Sequence, residues 1–518
     1  MQIASSISKE CYFYQIMYSQ QSTENLYQEY VAKMNRVADI RYANAVLQWD
    51  QETYLPNKGA DFRGQQLATL GEMAHEMFTA PIFGSLLEEL SGRTDLAYPE
   101  KRNVDLSLYD FKKSAKLPAP FVRSLSEQIT KSYHAWVAAR SQNSFAVFEP
   151  ELAKLVVLKK QEAAYLGYEK HPYDALLNDY EKGSNVQWLD EIFGKLLPPL
   201  KSLLDEVIEK QTVVVDPLEQ FFPKDKQWIF CTDLLAKMGF DFGAGRQDLS
   251  EHPFTTSFSA QDVRITTRIN EQNLGYMTWS TLHELGHAWY EQGLPTSQYG
   301  LPLGEACSLS VHESQSRFWE NCIGRSLSFC EWLLPIIVKH FPEQMKGVDA
   351  VQLYNSINKV QPSLIRTEAD EMTYHFHVMI RYEIEKRLMA GDLLTKEIPE
   401  LWSSLYKQYL GVDVPDDKHG CLQDIHWSHG SFGYFPTYSL GSLYAVQLFE
   451  TLNTAEGGDM KVTEVTMATT LDWLREKVHK IGRLMESEEL CKDVCGNGLN
   501  SNTFVEYLRF KFLTLGKS

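Results

Sequence analysis

Positive charge is the scarcer sign in this chain. Lys and Arg number 50 against 68 Asp and Glu, a formal net charge of −18 over 518 residues. A surface this acidic repels phosphates rather than displacing their counterions, which excludes a nucleic-acid binder and disfavours an anionic membrane surface. Long apolar runs are also missing. No stretch reaches the roughly 18 residues a membrane-crossing helix needs. Met1 to Gln20, interrupted by Lys9, Glu10 and Gln15, lacks the continuous apolar segment of a secretory signal. Cysteine is sparse, eight residues in the whole chain, and only Cys491 and Cys495 lie close together. Three residues separate them where a zinc knuckle has two, and no second pair exists. The expectation is reduced thiols and a cytoplasmic compartment. Internal repeats and low-complexity stretches are absent too. What remains is 44% apolar and 12% aromatic, ample for a packed core and incompatible with disorder.

The apolar spacing is helical nearly throughout. Leu26, Tyr30, Val31, Met34, Val37 and Ile40 recur with helical period between Glu24 and Trp49. Asn57 to Gly59 break the chain, and a second helix runs from about Arg63 to Leu90 with an interruption near Pro81. Further helices are expected over 121–139, 151–166 and 188–210. Two prolines and several charges in 214–227 mark a subdomain junction. One region alone alternates like a sheet: 254–259 and 263–269, joined by Ala260, Gln261 and Asp262 as a hairpin turn. Thereafter helices resume, including one expected from near Ser363 to Ile380. The fold class expected is mainly α, two-lobed, with one small β hairpin. Residues 1–22 are set apart as a poorly ordered extension, and 23–518 form a single catalytic domain.

The chemistry concentrates in Thr281-Leu-His-Glu-Leu-Gly-His-Ala-Trp-Tyr290. His283 and His287, at i and i+4, share one helix face about 5–6 Å apart, close enough to converge on one zinc ion. Glu284 is offset by one residue, so it cannot easily join them and is left to take a proton from the attacking water. Leu282, Leu285, Ala288 and Trp289 bury the surroundings, and buried neutral imidazoles need partners. A hydrolytic zinc takes a third protein ligand and keeps one position open. A loop ending at Gly304 returns the chain into an apolar-striped helix over about 305–323. That return places Glu313, Glu305, Glu291 and His312 within reach, and spacing alone does not choose among them.

Six motifs in order resemble the carboxypeptidase Taq family. They are His252-Pro-Phe254, Asp262-Val-Arg-Ile-Thr266, His283-Glu-Leu-Gly-His287, His312-Glu-Ser-Gln315, Ile365-Arg-Thr-Glu-Ala-Asp370 and Gly420-Cys-Leu-Gln-Asp-Ile-His-Trp427. The early Leu47-Gln-Trp-Asp50 is similar as well, so the likeness extends from about residue 24 onward. It implies a soluble, helical, two-lobed metallocarboxypeptidase with a deep groove, a homodimer that frees single C-terminal residues with broad specificity and handles proline poorly. It implies His283, His287 and Glu313 as ligands of one zinc, with Co²⁺ or Mn²⁺ also accepted by such donors, and Glu284 as general base. The alternative is an endo-oligopeptidase or dipeptidyl carboxypeptidase of similar architecture.

A carboxypeptidase must grip a free carboxylate, and the planar fork of Arg does so bidentately. Arg366 is the first candidate and Arg264 the second, the latter on a strand against which an extended peptide could lie. His252 joins them as a substrate-contacting candidate from its motif. A developing oxyanion needs donors besides the metal. In the Gly-rich aromatic stretch 423–438, the layout of related two-lobed zinc peptidases fits His426 and Tyr438, with Tyr434 competing. His375 and His377, at i and i+2, face different sides of a helix and are expected to be structural.

Overall fold

The computed structural model describes residues 18–212, 215–458 and 460–514. Among them are nineteen α-helices and one three-stranded sheet, a mainly α protein as the periodicity requires. No helix of the described residues is long and apolar enough to cross a membrane. Six helices frame the site: α1 (Thr23–Thr53), α2 (Pro172–Tyr180), α3 (Leu274–Gly293), α4 (Leu309–Arg317), α5 (Tyr374–Ala390) and α6 (Phe435–Ala455).

The buried apolar residues form three clusters. One gathers Trp136, Phe148, Leu176, Leu200, Phe376 and Trp402. A second gathers Phe230, Ile265, Leu282, Trp289, Trp319 and Leu333. A third, smaller one joins Tyr30 of α1 to Phe83 and Leu87. Helix α6 belongs to both large cores: Leu440 and Leu443 enter the first, and Ala445 and Leu448 the second. The chain passes from the first core at Val207 to the second at Leu218 and Phe222. Residues 1–17 of the N-terminal extension lie outside the described residues. Its end does not project: the Tyr18 side chain is fully buried in the third cluster.

Two departures from the sequence pattern matter for the site. The hairpin is the larger part of a sheet in order β1 (Gly245–Leu249), β3 (Asp262–Thr267), β2 (Thr255–Ser259). Strand β1 has no alternating apolar pattern. It pairs parallel to β3, where Gly245 lies so close that a Cβ would stand 2.4 Å from the Val263 carbonyl oxygen. Strand β3 is therefore central, β1 and β2 are the edges, and Arg264 is not on an edge strand where it was expected. The helix expected over 363–380 is also broken. A 3₁₀ turn at Arg366–Glu368 stops it, and α5 starts only at Tyr374. Asp370 explains the break. Its carboxylate accepts the N–H groups of Met372 (3.0 Å) and Thr373 (3.0 Å) and the Thr373 hydroxyl (2.7 Å), a local bonding pattern that competes with a continuous helix.

Candidate active site

Helices α3 and α4 carry the candidate metal donors and meet at short range. The Asn273 side chain caps α3 by accepting from the Tyr276 N–H (2.9 Å), and Ser308 caps α4 by accepting from the Val311 N–H (3.0 Å). Such caps are worth about 1 kcal/mol each. Gly286, between the two histidines, has no side chain to keep the helices apart: a Cβ there would lie 2.4 Å from the Gln315 carbonyl oxygen. Gly441 of α6 allows the same approach from the other side, since its Cβ would meet Glu313 Cβ and Cγ at 2.6 Å.

His283 Nε2 and His287 Nε2 are 3.2 Å apart, and Glu313 Oε2 stands 3.8 and 3.6 Å from them. These separations bracket the roughly 3.3 Å edge expected of a tetrahedral site with bonds of about 2.0–2.1 Å. The protons say the same. His283 Nδ1 faces Glu320 Oε2 at 2.9 Å, and His287 Nδ1 faces the His312 carbonyl at 3.0 Å. Both partners only accept, so both Nδ1 atoms carry hydrogen and both Nε2 lone pairs converge on Glu313. Three electron-rich atoms turned on one another form a donor set that fits a divalent metal. Among the described residues it is the one group of three or more such side chains placed to hold an ion. The other ligand candidates are engaged elsewhere: Glu305 with Arg483 Nη1 (2.7 Å), and Glu291 with His312 Nε2 (2.7 Å).

An outer layer holds the ligands. Arg317 donates from Nε to Glu313 Oε1 (2.7 Å) and from Nη1 to Glu320 Oε2 (3.0 Å), and Arg325 reaches Glu320 Oε1 (3.3 Å). Burial opposes the Glu313 carboxylate, but Arg317 and the two histidines outweigh it and hold Glu313 ionised. Burial also works against a protonated His283, yet Glu313 and Glu320 raise its pKa. Burial, helped by the neighbouring His312 and His283, lowers His287 to about 4 even though Glu313 favours its charged form. Sequence reasoning missed Arg317 and Glu320, although their spacing of four and seven residues from Glu313 puts them on its helix face.

Glu284 is buried, and its Oε2 accepts from the Thr255 hydroxyl (2.7 Å) on strand β2. Burial raises its pKa above the ordinary carboxylate value, the direction that makes a carboxylate a better base near neutrality.

A second cluster stands beside this one, joined to it by Tyr374, whose ring lies 4.8 Å below the Arg317 guanidinium. Tyr374 Oη accepts from Arg366 Nη1 (2.8 Å). Arg366 also donates from Nε (3.0 Å) and Nη2 (2.9 Å) to Asp424 Oδ1, while Arg381 Nε donates to Asp424 Oδ2 (2.5 Å). The Arg366 guanidinium lies 4.9 Å over the Tyr438 ring, and Tyr438 Oη is 3.2 Å from His426 Nε2. His426 is lowered to about 3 by burial, with Asp424 countering and Arg366 and Arg381 adding to the shift. Its Nδ1 is buried without a partner. Burial raises the pKa of both Tyr434 and Tyr438, so each keeps its hydroxyl proton. The Tyr434 ring sits 5.2 Å from that of Tyr438.

The remaining candidates lie apart. Arg264 forms a bidentate pair with Asp262 (2.9 Å to each oxygen) and stacks 4.4 Å over Trp49 of α1. His252 is exposed, and its carbonyl accepts from Ser250 Oγ (2.6 Å). His375 bonds Ser439 (2.9 Å) and His377 bonds Tyr406 (2.8 Å), both as buried structural groups.

A helical protein with a paired-histidine helix, a glutamate facing that pair from the next helix and a buried glutamate beside them is of the His-Glu-x-x-His metallopeptidase class. The model of the carboxypeptidase Taq (M32) metallopeptidase family matches residues 29–512. Thermostable carboxypeptidase 1 of Pyrococcus furiosus is 37% identical over 490 residues, covering 93% of this chain and 97% of that one. The solved structure of CHT is 55% identical with a TM-score of 0.91, over 95% of this chain and 100% of its own. The M32 carboxypeptidase from Deinococcus radiodurans R1 is 37% identical with a TM-score of 0.91, over 95% and 100%. The chain belongs to the carboxypeptidase Taq family of metallopeptidases.

Proposed function

We propose that this protein is a zinc carboxypeptidase that releases single residues from peptide C-termini with broad specificity, poorly when proline is terminal. The observation that carries the exopeptidase assignment is the Arg366–Asp424–Arg381 cluster: two buried guanidiniums share one carboxylate. Burying charge without a match is costly, and a peptide's terminal carboxylate supplies the missing negative charge. With one bond from Nη1 and one from Nη2 already made, Arg366 keeps one further N–H on each for that carboxylate. Arg264 is the weaker clamp because Asp262 neutralises it one to one, whereas Arg366 and Arg381 share a single carboxylate; His252 is assigned no step.

His283, His287 and Glu313 would hold the metal; Co²⁺ and Mn²⁺ suit the same donors. Bound there, it supplies Lewis-acid polarisation of the scissile carbonyl and acidifies the attacking water. Glu284 takes the water's proton and later delivers it to the leaving amine. Tyr438, Tyr434 and neutral His426 supply hydrogen-bond donors for the negative charge that develops on the carbonyl oxygen. Arg366 sets the register, so that the last peptide bond and no other meets the base. From the resemblance we further assign the protein to the cytoplasm as a homodimer.

The test separates clamp from chemistry. On free-acid peptides, kcat/KM should fall in the order wild type, Arg366→Lys, Arg366→Ala, the full loss being about 2–5 kcal/mol. Amidated peptides should be poor substrates for all three proteins and nearly indifferent to the substitutions. Equal damage to free and amidated peptides would make Arg366 a structural or transition-state residue. Brisk cleavage of amidated peptides by the wild type would favour an endo-oligopeptidase.

A further inference from the structure

The two histidine ligands are held differently. His283 meets a carboxylate directly, through Glu320. His287 meets the His312 carbonyl and, closer still, the His312 ring: the two Nδ1 atoms are 2.7 Å apart. The carbonyl at 3.0 Å only accepts, so the hydrogen is on His287 Nδ1. His312 Nδ1 must then present its lone pair, and its own hydrogen must sit on Nε2. That atom is 2.7 Å from Glu291 Oε1. Glu291 Oε2 in turn accepts from the Ser257 hydroxyl at 2.7 Å, and Ser257 lies on the edge strand β2 that pairs antiparallel with β3. The single His287 Nδ1 hydrogen is shared between the His312 carbonyl and the His312 Nδ1 lone pair, every other hydrogen in this chain has one acceptor, and no other arrangement of tautomers satisfies all the contacts. Both side chains are largely buried, with relative exposures of 20% for His312 and 18% for Glu291.

We propose that Glu291 and His312 are a positioning pair for the metal ligand His287, passing the pull of a carboxylate through a neutral imidazole and anchoring it to strand β2. Neither residue touches metal or peptide. Their work is to hold the His287 tautomer with Nε2 free, to fix the rotation of its ring and to raise its basicity, as outer partners of metal-bound histidines do. Helix geometry makes the arrangement available. Glu291 stands four residues after His287 on α3, and His312 precedes the ligand Glu313 on α4. One side chain from each helix therefore closes the loop behind the site. This inference rests on the metal-site reading above.

The experiment uses the full chain stripped of metal and titrated with Co²⁺ against a competing chelator, followed by proton NMR of the Co²⁺-loaded protein. The imidazole N–H protons next to the ion are shifted far from the rest of the spectrum. Glu291→Gln and His312→Ala should each weaken Co²⁺ binding by about tenfold or more. Both should move the His287 N–H resonance and leave that of His283 in place, whereas Glu320→Gln should do the reverse. If His312→Ala does not fold, Glu291→Gln and the milder Ser257→Ala decide, the latter moving the same resonance by less. Co²⁺ affinity within twofold of wild type and an unmoved His287 resonance in Glu291→Gln would overturn the proposal. Failure of the wild type to bind Co²⁺ at all would instead overturn the metal-site reading, and this inference with it.

Discussion

At the scale of single residues, holding a metal and doing chemistry fall to different side chains. Glu284 points its carboxylate at Thr255, not at the imidazole pair, so it is free to act as a base. Glu284→Gln keeps the shape and removes the basicity. Turnover should fall at least about a hundredfold, the usual scale of a lost general base, while metal content by atomic emission stays near that of wild type. Parallel loss of metal and turnover would show that Glu284 coordinates. Glu313→Ala should behave oppositely and lose the metal, because it removes the one carboxylate that meets both Nε2 atoms. Full metal in Glu313→Ala, with loss in Glu305→Ala, would reverse the assignment. Residue-level chemistry was legible from spacing where it lies within one helix turn, as in His283-Glu284-x-x-His287. It was not legible where partners are distant in sequence. Arg366 stood out as a candidate clamp, but its pairing with Asp424, 58 residues away, has no local signature.

At the scale of elements, the site exists because helices approach where glycine permits. Gly286 lets α4 pass against α3, and Gly441 lets α6 pass against α4. The two positions differ in what a methyl group would strike. At Gly286 it meets backbone, the Gln315 carbonyl and Ser316 Cα, which cannot move without shifting α4. At Gly441 it meets the side chain of Glu313, the proposed third metal ligand. Gly286→Ala should cost about 1–3 kcal/mol or more of stability, the usual overpacking penalty, seen as a lower urea midpoint. Gly441→Ala should chiefly weaken metal binding, seen in chelator competition. A Gly441→Ala protein that binds metal like wild type would mean that α6 does not press on Glu313. The helices themselves were legible in their periodicity, down to the break at Pro81 that separates Ala60–Thr79 from Pro81–Gly92. Strand β1 was not, because Gly245, Arg246, Gln247 and Asp248 carry no strand pattern and pair only through tertiary contact with β3.

At the scale of the whole molecule, α5 ties the loop carrying His426 and Tyr434 to the first core through Glu385. This buried carboxylate accepts from Tyr173 of α2, from Trp427 Nε1 (2.8 Å) and from the Gly433 N–H (2.8 Å). Burial raises its pKa to about 7 from 4.5, against the hydrogen bonds and Arg381 that favour the ion. A raised carboxylate pKa means that the folded state binds the proton more tightly. The resulting stability is complete below about pH 4.5 and is lost as pH rises through about 7, up to about 3 kcal/mol in all. Glu385→Gln cannot titrate, so its stability deficit relative to wild type should shrink between pH 5 and pH 9 in urea unfolding. A deficit independent of pH would contradict the shift.

The most direct test of the whole account is a mass-spectrometric time course on one peptide with a free C-terminus and on its amidated twin, with metal-loaded and chelator-treated protein. A carboxypeptidase with this site gives a ladder of products shortened one residue at a time from the C-terminus of the free peptide. It gives almost none from the amidated twin, and none from either after chelation until metal is restored. Internal fragments from both peptides, or a ladder that survives chelation, would contradict it.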